Sequence, residues 1–168
     1  MAAVHDLLLD AFSRVSGSVH RAGEGLTREQ LEARLDPGAN SIGWLLWHLT
    51  RVQDDHVAGA FGVDELWTSG GWADRFGLDV SGIGYGHSAD DVAKVVGFDA
   101  DLVLAYHDAV HEQTLRCVRG LTEADLGTVV DESWDPPTTM GVRLVSVIDD
   151  CLEHAGQAAF VRGVLERR

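Results

Sequence analysis

The segment from Val142 to about Glu166 constrains the fold most strongly. Apolar residues recur at helical spacing in one stripe of Val145, Ile148, Leu152, Ala155 and Ala159, and in a second of Val147, Ala158 and Val161. A helix apolar on two sides needs partners on both, which places it at the centre of a bundle. Three further segments of helical period supply those partners. Val4 to Ala22 repeats through Leu8, Phe12, Val15 and Val19, and Ser41 to about Ala60 is apolar nearly all round in its first half, with Trp44, Leu46 and Trp47. The third, Val92 to about Val118, is interrupted or bent near Gly97. Shorter turns are expected after Thr27, near Trp72 to Phe76 and over Thr122 to Leu126, and Trp134-Asp135-Pro136-Pro137 cannot be helix interior. No strand pattern competes, so the expected fold is an all-α four-helix bundle, read as one domain over residues 1–168. Its unusual part is the glycine-rich connection over residues 62–89, long enough to permit a crossover between the second and third long helices.

Composition narrows the function. A formal net charge of −14 argues against nucleic acid or an anionic membrane as partner, because phosphate recognition depends on clustered lysine and arginine. With no apolar run of about 18 residues and no signal-like start, a cytoplasmic protein is expected. The two cysteines, Cys117 and Cys151, read as thiols, with Cys151 in the core.

The chemistry concentrates within the last helix. Asp150 and His154 stand four apart and so share a face, about 6 Å apart by helical rise. A third ligand is available from the second long helix, where His48 lies among tryptophans and leucines. Two imidazoles and a carboxylate suit a borderline divalent ion, zinc first, with nickel or iron also fitting the set, and three protein ligands leave a coordination position open. His56 is about 12 Å further along the same helix and cannot share that ion with His48. The same polar triangle also has a structural reading, as a buried hydrogen-bonded set. His107 and His111 form a second four-apart pair beside Asp108, Glu112 and Gln113, and read as a solvated face. The run Gly82-Ile83-Gly84-Tyr85-Gly86-His87 lacks the features of a phosphate loop and reads as a flexible loop able to carry Tyr85 and His87 over a site.

Ser41-Ile42-Gly43-Trp44-Leu45-Leu46-Trp47-His48-Leu49 together with His154-Ala155-Gly156-Gln157 resembles the DinB superfamily over nearly the whole chain, especially its mycothiol-transferase-like branch from actinobacteria. The resemblance implies a four-helix bundle with a metal held by His48, Asp150 and His154. Many members have histidine where this chain has Asp150; thiol-dependent isomerases of the superfamily are similar to it in having a carboxylate there. The activity implied is a metal-dependent thiol S-transfer or thiol-dependent isomerisation. The co-substrate would be a low-molecular-weight thiol (mycothiol, bacillithiol or glutathione) and the acceptor a small electrophile. Arg51 is then a candidate for holding a substrate anion, although an exposed arginine is the plainer expectation, and Gln157 for orienting His154. Tyr85 and His87 are candidates on the loop. The resemblance is also compatible with a homodimer. Hydrolysis by metal-activated water and a non-catalytic ligand-binding or stress-associated bundle are the competing classes.

Overall fold

A computed structural model describes residues 4–78 and 82–167. The long helices are α1 (Val4–Gly23), α3 (Ile42–Phe61), α7 (Ala100–Val118) and α8 (Met140–Leu165), with α2 (Arg28–Glu32) a short connector. Local sequence sets their ends. Ser41 Oγ accepts the Trp44 N–H at the start of α3, and Gly62 closes it in the left-handed conformation at φ 64°. Asp99 caps α7 and Thr139 caps α8 in the same way as Ser41. Three short helices, α4 (Leu66–Ser69), α5 (Trp72–Phe76) and α6 (Ala89–Val92), lie between α3 and α7. The helix expected from Val92 to Val118 is therefore two: α6 stops, the chain turns through Gly97 at φ +95°, and α7 restarts behind the Asp99 cap. Residues 79–81 of the expected long connection lie outside the described residues.

Side-chain pairings fix the helix directions. Cys151 Sγ reaches Leu49 O while Leu45 shares a cavity wall with Val161, so α3 and α8 run antiparallel. Thr50 meets His107 and Gln53 meets Thr114, so α3 and α7 run parallel. A parallel pair cannot be joined by a tight turn, and the connection between α3 and α7 is the crossover that returns the chain to the starting end. That connection is anchored by buried polar groups. The Leu66 and Trp67 N–H groups and the Tyr106 hydroxyl all donate to the Asp54 carboxylate, at 2.9, 2.7 and 2.8 Å. Arg51, also fully buried, donates to Glu65 and to the Gly82 carbonyl. These bonds satisfy groups that burial would otherwise penalise by a few kcal/mol each.

Two expectations need correction. Helix α8 buries one stripe, not two: Leu144, Val147, Cys151, Ala155, Ala158 and Val161 face α1 and α3, while Val145 and Leu152 are exposed. Asp150 and His154 consequently sit at the edge of the core. The segment after the Thr122 turn is not strandless either; β1 (Val129–Asp131) pairs antiparallel with β2 (Thr138–Thr139) and leads into α8. Among the described residues, no helix is long and apolar enough to cross a membrane.

Candidate metal centre

The antiparallel seam of α3 and α8 brings His48 opposite Asp150 and His154, and each of the three offers a ligand atom within 4.8 Å of the others. His48 is buried; the two α8 residues are half-buried. In each histidine the Nδ1 position is taken by an oxygen that can only accept. His48 Nδ1–H donates to Ile83 O at 2.5 Å, and His154 Nδ1–H donates to Gln157 Oε1 at 3.0 Å. Both rings are thereby held as the tautomer whose Nε2 carries the lone pair, the usual way that outer partners orient metal-binding imidazoles. Burial pushes the His48 imidazolium below its ordinary pKa, which favours the neutral ring.

The carboxylate supplies the test of fit. Asp150 Oδ1 stands 3.7 Å from His154 Nε2, while Asp150 Oδ2 is buried with no hydrogen-bond partner. A buried carboxylate oxygen without a donor is costly, and a cation between it and two imidazole nitrogens removes that cost. The donor set fits a divalent ion of the zinc, nickel or iron type.

The loop after Gly82 forms the remaining wall. Gly84 at φ +92° lies so close that a Cβ there would come 2.6 Å from His48 Nδ1 and 3.1 Å from Trp47 Cζ3. Only glycine lets the backbone carry the Ile83 carbonyl onto the histidine. Gly84→Ala is therefore expected to lower zinc affinity about 10- to 100-fold, the range found for lost outer partners of metal ligands, with helicity kept. Competition with a chelating dye measures it, and an unchanged affinity would show that the loop contact does not orient His48. Trp44 stacks on His48 at 4.6 Å between ring centroids, and its Nε1–H donates to His87 Nδ1 at 3.1 Å, which leaves the His87 proton on Nε2.

Of the other sequence candidates, Gln157 touches His154, accepting its hydrogen bond instead of donating one. His87 reaches the rim through Trp44. Tyr85 does not join the centre; it is 87% exposed and lines a neighbouring cavity. Arg51 is neither exposed nor turned to the centre, being spent on Glu65 and Gly82. His107 and His111 are not a solvated face: His107 is fully buried and His111 half-buried, because α7 turns that side toward α1 and α3. Sequence reasoning missed the Ile83 carbonyl and the Trp44 stack. A backbone acceptor carries no side-chain signal, and Trp44 reads as core; Gly84, one step after Ile83, was the only available hint.

A four-helix bundle with two parallel neighbours, in which a histidine of α3 meets an aspartate and a histidine of α8, defines the class of DinB-like bundles. The profile of the mycothiol-S-transferase family matches residues 7–167, and the chain belongs to that family. Among solved structures, the crystal structure of a conserved protein from Enterococcus faecalis is similar over 100% of both chains, at 29% identity and a TM-score of 0.90. No curated protein matches the chain.

Proposed function

We propose that the chain is a metal-dependent S-transferase that moves a low-molecular-weight thiol onto a small electrophile, with His48, Asp150 and His154 as metal ligands. The observation that carries this reading is the gathering of ligand atoms from His48, Asp150 and His154 within 4.8 Å of one another, with one Asp150 oxygen buried without a partner, in a chain of the mycothiol-S-transferase family. A divalent ion held there supplies the positive charge that keeps a thiol sulfur deprotonated near neutral pH. The protein's part is to hold and exclude. Ile83 and Gln157 fix the two imidazoles, and Trp44 covers His48 and keeps water from that face. His87, with Nδ1 occupied, retains an Nε2–H that can donate to an oxygen of the electrophile; it lines a cavity of about 340 Å³ with Trp47 and Lys94. Sulfur gives up its proton to solvent and bonds to the electrophilic carbon; with an aryl halide the carbon–halogen bond breaks and halide leaves, and with an α,β-unsaturated carbonyl the C=C π pair takes a proton from solvent at the α-carbon. Zinc, a cytoplasmic location and a homodimeric assembly complete the reading.

The test incubates zinc-loaded protein with mycothiol, bacillithiol or glutathione and a panel of aryl halides and α,β-unsaturated carbonyls. Thiol adduct formation above the uncatalysed rate, lost in His154→Ala, is the expected result. Substrate hydrolysis without thiol, or no turnover with any pair, would overturn it.

A further inference from the structure

Along the α3–α8 seam a cavity opens one turn beyond the candidate metal centre. Leu45 stands three residues before His48 on α3 and Gln157 three after His154 on α8, so antiparallel packing carries both about 5 Å along the seam in the same direction. With Asn40, Gly156, Phe160 and Val161 they line a cavity of about 400 Å³. Gln157 belongs to both places: its Oε1 holds the His154 imidazole while its side chain forms part of this wall. Trp44 links the same region to the far rim, because its ring meets His154 edge-on at 6.2 Å between centroids and its Nε1–H reaches His87. A molecule seated in the cavity lies beside the candidate ligands.

The lining says what that molecule is. Among the described residues none that lines it is charged, so an ionised group entering gives up hydration and gains no counter-ion. Leu45 and Val161, both buried, make an apolar floor, and Phe160 stands beside it 66% exposed, a large ring left in solvent. The side-chain amides of Asn40 and Gln157 are the polar groups of the wall. With its Oε1 accepting from His154, Gln157 keeps two Nε2–H donors for a neutral acceptor on an incoming molecule. Gly156 supplies space, since a Cβ there meets nothing within 4 Å. An aromatic ring fits with room for a substituent, because an apolar cavity of about 150 Å³ already suffices for benzene.

We infer that this cavity is the subsite for the electrophile, and that it selects an uncharged aromatic body packed against Leu45, Val161 and Phe160, with the reacting end toward Trp44. The inference rests on the S-transferase reading for calling the occupant an electrophile; the cavity's own selectivity is tested without turnover. Isotope-labelled full chain is titrated by nuclear magnetic resonance with acetophenone, benzoate and benzylamine, one ring carrying a neutral, an anionic and a cationic substituent. Acetophenone is expected to shift the amide resonances of Asn40, Gly156 and Phe160 and to bind about tenfold more tightly than either charged ligand, which would lose hydration without a partner. Using both signs of charge separates the cavity from the net charge of −14, which by itself repels only benzoate. Gly156→Leu fills the cavity from a helical position with open space around it and favours the helix, so it is expected to abolish acetophenone binding with zinc content and helicity unchanged. Phe160→Ala, at an exposed position, is expected to weaken binding about tenfold. Equal affinity for the three ligands, or acetophenone binding indifferent to Gly156→Leu, would overturn the inference. If no S-transfer is found yet acetophenone binds in a Gly156-dependent manner, the cavity and its selectivity stand and only the reaction is wrong. If S-transfer is found but the KM for phenyl vinyl ketone is the same in Gly156→Leu as in the parent, the reaction stands and the subsite is wrong.

Discussion

Alanine at His154 or His48 is expected to reduce bound zinc from about one equivalent to background, with helicity retained. His154 is half-buried at the edge of the core, so truncating it removes little packing, whereas it removes one of the three candidate ligands found among the described residues. Asp150→Asn keeps an oxygen but loses the charge opposite the two imidazoles, and is expected to bind zinc about 100-fold more weakly without losing it. Gln157→Ala leaves the ligand set intact and frees the His154 ring, which costs about tenfold. Mass spectrometry of metal content, followed by chelator competition, measures all four. Because imidazole and carboxylate must give up protons to bind, affinity in the parent falls with acid. Unchanged zinc in both alanine variants would remove these residues from any metal site and leave the polar triangle as a structural hydrogen-bonded set.

Much of the architecture was legible because the sequence signals were local and repeated. All four long helices have sustained helical spacing, and Ser41 marks the start of α3, whereas α7 begins at the Asp99 cap and not at Val92. The spacing of Asp150 and His154 placed two candidate ligands on one face without knowledge of any tertiary contact. Legibility failed where solvent exposure, not period, decided the outcome. Val145 and Leu152 are as apolar as Val147, and only the positions of α1 and α3 tell which of them is covered. His107 sits in a polar stretch of sequence but on the inward side of α7, and Arg51 points into the protein because Glu65 and Gly82, on a remote connection, fold back to meet it. Contacts of that kind pair residues 14 and 31 positions apart, and no single-segment pattern announces them.

The inward turn of His107 has a thermodynamic consequence. Thr50 gives its hydroxyl proton to Leu46 O at 2.7 Å, so its oxygen is free to accept from His107 Nδ1–H at 3.2 Å. The other nitrogen, Nε2, is then a lone pair buried without a partner, and the nearest ring is His111, stacked 6.2 Å away. Burial first, then the neighbouring His111 and His20, pushes the His107 pKa down to about 3. The folded state thus keeps the ring neutral at a pH where the unfolded chain, near 6.5, has already bound a proton. Above pH 6.5 the site has no effect on the pH dependence of stability. As pH falls from 6.5 toward 3, proton uptake by the unfolded state draws stability away, by about 2 kcal/mol at pH 5. His107→Asn keeps a donor for Thr50 and cannot titrate. It is expected to be less stable than the parent at pH 7 through lost packing, yet to lose about 2 kcal/mol less between pH 7 and pH 5. Urea unfolding of metal-free protein at the two pH values measures the difference. Equal losses in parent and variant would mean that His107 is not held neutral, and that the folded protein admits a charge at the junction of α1, α3 and α7.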